Sequence, residues 1–177
     1  MIPKLLLTTL IIIISSGGYA CSCIPEESIS NSYKNADFVF EGKVIKIDTV
    51  FISDTANIIS QTNAKSHQEV IVKEYFAVKF IISRIFKGKS IDTTVTVLTN
   101  AVGTACGYQF ALNLVYIVYG YTEQFSLIDG WKSTINENSR VKPKTLNVER
   151  YSTNSCTRTT MNINYEISEL KSKELIK

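Results

Sequence analysis

Histidine is nearly missing from this chain: its 177 residues include one, His67. A hydrolytic site usually sets an imidazole beside a nucleophile or a metal. With one histidine and no clustered acids, such a site is hard to assemble, so the chain reads as a protein without catalytic activity of its own. His67, among polar neighbours, reads as a solvated loop residue, and Asp37 and Glu41 as surface charges on or near a strand. Proline is scarce too, at three residues, and no repeat, low-complexity tract or Pro/Gly-rich linker divides the chain. No apolar run reaches the roughly 20 residues that span a bilayer, so no transmembrane span is expected. A net charge of +3, with both signs interspersed, argues against a nucleic-acid partner. No Asn-x-Ser/Thr acceptor site occurs. The cysteines lack the paired two-residue gaps usual in a four-cysteine zinc site, and no resident cofactor is expected.

What is present begins with a leader. Lys4 precedes the apolar stretch Leu5–Ile14, and Ser15-Ser16-Gly17-Gly18-Tyr19-Ala20 follows. Small residues at the −3 and −1 positions of a cut after Ala20 mark 1–20 as a secretory signal peptide. A lipoprotein signal is the rival reading, because it also places cysteine directly after the cut, although Gly18-Tyr19-Ala20 lacks its usual leucine pattern. Removing the leader leaves 157 residues, with 18 basic against 16 acidic. That suits one secreted or extracytoplasmic domain over 21–177, expected to be a monomer with a modest core.

The mature chain would open on Cys21-Ser22-Cys23-Ile24-Pro25. Four cysteines occur in all, the others being Cys106 and Cys156. An even number behind a secretion signal favours disulfides over metal binding. Cys21 and Cys23, separated only by Ser22, seldom pair with each other, so each is expected to hold a distant partner, in one of two ways. Long loops of this kind correspond to chain-entropy terms of about 4–5 kcal/mol each. A terminal cysteine also presents a free α-amine beside its own carbonyl, and that pair is a two-point ligand for a metal ion.

Coarse patterning is mostly strand with helices near the ends. Ser28–Asn35 reads as a short helix. Ala36–Ile47 alternates in its second half as a half-buried strand does. Thr49–Ser66, rich in Ser, Thr, Asn and Asp, reads as a long hairpin connection or irregular strand ends. Val70–Phe86 is a β-branched and aromatic run stopped by Lys87-Gly88-Lys89. Thr93–Leu98 and Leu114–Tyr121 read as strands, and Phe125–Ile128 as one more ahead of a polar stretch that holds Trp131. Tyr116, Tyr119 and Tyr121 read as barrel core and rim. From Thr159 the period becomes helical, with Ile163, Ile167 and Leu170 on one stripe and a solvated Glu/Lys face opposite. Together these predict a mainly β fold: a five-stranded Greek-key barrel of the oligonucleotide/oligosaccharide-binding (OB) type with a short N-terminal helix and a C-terminal helix.

Several of these segments, in order, resemble one family. Cys21-Ser22-Cys23-Ile24-Pro25 is similar to the mature Cys-x-Cys-x-Pro start of the tissue inhibitors of metalloproteinases. Asn35-Ala36-Asp37-Phe38-Val39 resembles the start of their first strand, and Tyr75–Gly88, ending in Ile85-Phe86-Lys87-Gly88, their second. Cys106-Gly107-Tyr108 resembles the segment that bonds their first cysteine, and Cys156 sits where the partner of their third residue falls. The wider family, the netrin-like modules, shares the fold without always inhibiting anything. This chain departs from the inhibitors in having no cysteine near Asn35, where the first cysteine of their third disulfide should fall, and a second, cysteine-rich domain like theirs is not expected.

The resemblance implies two disulfides stapling the barrel, Cys21 to Cys106 and Cys23 to Cys156. It implies a zinc metalloprotease as protein partner, whose zinc the Cys21 amine and carbonyl would chelate. Cys21 would touch metal only in that complex. Ser22 would enter the S1′ pocket. Cys23, Ile24 and Pro25, with Thr104, Ala105 and Cys106 in the 102–106 segment, would form the contact ridge. The rival function is a non-inhibitory extracytoplasmic binding module, anchored through a lipidated Cys21 and using the barrel face or Thr49–Ser66.

Overall fold

The structure is a computed structural model that describes residues 27–59, 66–101, 106–128 and 145–177. Helix α1 (Ile29–Asn35) starts at Ser28, whose hydroxyl accepts from the Asn31 N–H at 3.3 Å. That cap satisfies one of the N–H groups a helix start leaves without a partner. Ala36 is already extended, and strand β1 (Phe38–Ile59) follows. Strand β2 (Ser66–Lys87) returns along its whole length. It ends at Gly88, whose φ of 85° and closeness to Phe38 leave no room for a Cβ. Strands β3 (Thr94–Asn100), β4 (Val115–Ile128) and β5 (Thr145–Ser152) and helix α2 (Ile163–Ser172) complete the fold.

The five strands close into a barrel in the order β1-β2-β3-β5-β4. Register shifts in β1 at Val39/Phe40, Glu41/Gly42 and Val44/Lys46 bend the strand around the barrel. At the closing seam the β4 partners descend from Gly120 to Val115 as β1 rises from Phe38 to Lys43. Side chains alternate across these strands. Phe38 and Phe40 therefore enter the barrel with Phe80, Tyr116 and Val118, while Val39, Ile117 and Tyr119 lie under the helices against Tyr33, Ile163 and Ile167. Both faces of β4 are covered from Tyr116 to Gly120, which is why that stretch is buried without a break. Edge-on aromatic contacts, Phe40–Phe80 at 5.4 Å and Phe110–Tyr116 at 4.9 Å, fill the interior. A third cluster of Ile52, Leu98 and Phe125 packs further along β1.

Two segments differ from the sequence-based expectation. Thr49–Ile59 is regular strand rather than a connection or an irregular strand end, paired residue by residue from Thr49 with Phe76 to Ile59 with Ser66. Phe125–Ile128 continues β4 instead of standing alone, and its antiparallel partner β5 was not anticipated. Among the described residues no helix is long and apolar enough to cross a membrane.

Candidate functional site

Topology brings the two distal cysteines together. Strands β3 and β5 pair in parallel, Val97 with Tyr151 and Leu98 with Ser152, so both leave the barrel in the same direction. The Thr153 N–H continues the pairing to the Leu98 carbonyl at 2.9 Å, and the Ser155 N–H then reaches the Cys106 carbonyl at 2.8 Å. Neither Cys106 nor Cys156 is a free thiol. Cys21 and Cys23 lie outside the described residues.

The Cys106 side of this junction is held close. Cys106 itself has φ of 68°, a left-handed conformation that costs a non-glycine residue about 1 kcal/mol or more. Gly107 next to it lies so near β3 that a Cβ would come 2.1 Å from the Asn100 carbonyl oxygen. Only glycine fits that approach. The Tyr108 N–H then donates to Thr99 Oγ1 at 2.8 Å, and the Ala101 N–H to the Glu74 carbonyl at 3.2 Å.

The Cys156 side is held by side chains. Asn154 Oδ1 accepts from the Cys156 N–H at 2.8 Å and the Thr157 N–H at 3.1 Å, an Asx-type turn. The Thr153 hydroxyl bonds those of Thr157 and Thr159 at 2.6 and 2.9 Å, and Thr159 Oγ1 accepts from the Tyr119 N–H at 3.1 Å. One residue on from Thr157, Arg158 Nε donates to Glu166 Oε1 at 2.7 Å, and the Tyr119 hydroxyl donates to the same oxygen at 2.6 Å. Glu166 is 2% exposed. Burial, and then the Glu166 bond, push the Tyr119 hydroxyl far above its ordinary pKa. Burial would lower the pKa of Arg158, but the bond and charge of Glu166 outweigh it and the net shift is upward. The turn carrying Cys156 is thus pinned to both β4 and α2.

Beside Cys106–Gly107 the rim is apolar. A cavity of about 350 Å3 is lined by Ile47, Phe76, Val78, Tyr108, Gln109 and Phe110. Tyr108 sits 4.6 Å from the Phe110 ring, and burial raises its hydroxyl pKa to about 12.

Of the residues anticipated for the site, Cys106 and Cys156 are described and adjoin. Cys21, Ser22, Cys23, Ile24, Pro25, Thr104 and Ala105 lie outside the described residues, as does Trp131. His67 falls in β2 opposite Ile58 rather than in a loop. Asp37 accepts from the Thr122 N–H at 2.8 Å at the barrel seam. Tyr116 and Tyr119 are fully buried and Tyr121 half-buried, in line with core and rim positions. No cluster of three potential metal ligands occurs among the described residues.

The Glu166–Arg158 support was not anticipated, because the C-terminal helix reads as a solvated Glu/Lys face. A signal was present: Glu166 falls at helical spacing between Ile163 and Leu170, on the buried stripe. No protein-family model matches the chain, and no curated protein matches it.

Proposed function

We propose that the protein is a secreted inhibitor of zinc metalloproteases, acting through the amine and carbonyl oxygen of Cys21 on a barrel of the OB type. The observation that carries this reading is the junction of the Cys106 and Cys156 segments at the parallel ends of β3 and β5. A Cys-Ser-Cys tip that pairs with both cysteines needs its two partners side by side. Here they adjoin on rigid supports. The 1-2-3-5-4 strand order supports the OB assignment.

The resemblance pairs Cys21 with Cys106 and Cys23 with Cys156, and the adjoining Cys106 and Cys156 segments suit that pairing.

The chemistry follows from the terminal residue. The Cys21 amine and carbonyl oxygen bind the open position of the catalytic zinc in the target and displace its activated water. Without that water the protease has no nucleophile. Ser22 enters the adjoining S1′ pocket, while Cys23 to Pro25 and Thr104 to Cys106 form the ridge on either side. Bridges to the held turns at Cys106 and Cys156 preset the direction of the amine, so little conformational freedom is lost on binding. The zinc belongs to the partner, and the inhibitor carries no cofactor. An α-amine has an ordinary pKa of about 7.7–8.0. The unprotonated form is the ligand, so inhibition weakens about tenfold for each pH unit below that pKa.

The test begins with the intact mass and N-terminal residue of protein recovered from its own secretion route. A chain starting at Cys21 with a free amine and four oxidised cysteines is expected. That protein should inhibit a zinc metalloprotease panel at one-to-one stoichiometry, and a form with one alanine before Cys21 should not. Equal inhibition by the extended form, or a lipidated Cys21, overturns the proposal; a lipidated terminus leaves an anchored binding module.

A further inference from the structure

Barrel closure between β3 and β5 rests on two residue pairs, Val97 with Tyr151 and Leu98 with Ser152. Upstream of them the strands diverge. Among the described residues, Thr94–Thr96 pair on the β2 side alone, and Thr145–Arg150 on the β4 side alone. Between these two open edges lies a cleft of about 580 Å3, lined by Thr94, Thr96 and Tyr151 and by three cations, Lys79, Lys89 and Arg150. A strand edge offers backbone donors and acceptors at a fixed spacing, a template for a further strand.

The charges say what kind of strand fits. Lys46 and Lys73 on the β1–β2 hairpin are paired with Asp48 and Asp54. Lys79, Lys89 and Arg150 are in no ion pair among the described residues. Asp92 and Glu149 also border the cleft, and Glu149 already accepts from the Gln124 amide at 2.9 Å. The excess is positive. Cations on an edge repel a basic strand and attract an acidic one. A sulfated glycan would satisfy the charges but does not present alternating donors and acceptors at the spacing of a strand edge.

We propose that this cleft is a docking site for an extended acidic peptide segment of a partner protein. The segment would bind by strand addition to the open edge of β3 or β5, its carboxylates facing Lys79, Lys89 and Arg150. The site is independent of Cys21 and of protease inhibition.

The probe is a short blocked peptide alternating glutamate and threonine, titrated into the full mature protein and followed by amide chemical shifts and calorimetry. Shifts concentrated at Thr94–Thr96 and Val148–Tyr151 are expected. Methylating alternate peptide nitrogens should weaken binding about tenfold through the loss of two backbone bonds. Lys79→Glu with Arg150→Glu should weaken it at least as much, and a lysine-for-glutamate peptide should not bind. The form with alanine before Cys21 should bind as well as the unextended protein, whatever its effect on proteases. The proposal is overturned if those amides do not move, if the methylated peptide binds equally well, or if a sulfated oligosaccharide displaces the peptide at comparable charge.

Discussion

The cysteine junction and the outer half of the β1–β2 hairpin are both built from extended chain, but their backbones are held differently. Beyond Ile52, the last β1 residue paired with β4, the strand pairing among the described residues runs between β1 and β2 alone, Ser53 with Val72 through to Ile59 with Ser66. Its side-chain ties include Lys73 to Asp54 at 2.6 Å, with both groups about half exposed. At the junction, the segments around Cys106 and Cys156 are fixed by β3, β4, β5 and α2 at once, through a glycine contact, an Asx turn, three threonine hydroxyls and a buried carboxylate. A long regular ladder therefore says little about rigidity. Bonds between elements distant in sequence do, because none of them can open alone.

Gly107→Ala should break the contrast most sharply. Its Cβ would collide with β3 backbone, which cannot rotate away as a side chain does, and a loss of about 3 kcal/mol or more is expected in denaturant unfolding. Glu166→Ala should cost about 3 kcal/mol by leaving Arg158 uncompensated and the Tyr119 hydroxyl without its acceptor. Tyr119→Phe, which removes one bond, should cost about 1–2 kcal/mol by the same measurement. Both changes should also speed reductive opening of the proposed Cys156 disulfide, read by thiol titration.

Alkali provides a comparison within the rim. The ordinary Tyr108 pKa of 10.0 becomes about 12 in the folded chain. Folding stability is therefore unaffected by this group below pH 10. It falls between pH 10 and pH 12, where the unfolded chain has lost a proton that the folded chain keeps. Tyr108→Phe should remove that share of the alkaline loss, read as a shallower fall of the unfolding midpoint across the same range.

The hairpin should respond weakly. Replacing residues 55–70 with Asn-Gly, which joins the paired residues Asp54 and Ile71 through a two-residue turn, should change stability by no more than about 1 kcal/mol. Lys73→Ala should cost at most about 0.5 kcal/mol, since an exposed pair is weak. A large loss from either change would erase the distinction between the two regions.

Legibility in the sequence followed the same division. The helix at Ser28–Asn35 was readable from local signals, because its cap is local and Ser28 serves as it. The stripe of α2 was readable because Ile163, Ile167 and Leu170 repeat at helical spacing. Thr49–Ser66 reads as a hairpin connection or irregular strand ends because its Ser, Thr, Asn and Asp residues disfavour strand, and over Thr49–Ile59 the pairing with β2 overrides that preference. Thr122-Glu123-Gln124 broke β4 into two apparent pieces, since all three are exposed while still paired with β5. Strand β5 gave no alternation at all: only Val148, Tyr151 and Ser152 are even partly buried. The meeting of Cys106 and Cys156 depends on that strand. Periodicity within a window has no access to it.

The two-pair closure between β3 and β5 also has a consequence in time. Those contacts join residues far apart in the chain, and such contacts form late because the intervening loop must first be closed. Cys106 and Cys156 therefore come together only once strands distant in the chain have paired. Oxidation that follows closure meets the aligned partners and yields one set of bridges. Oxidation that precedes it joins whichever thiols collide, so slow, reversible thiol exchange, rather than a strong oxidant, is the condition under which the purified chain should refold to a single species.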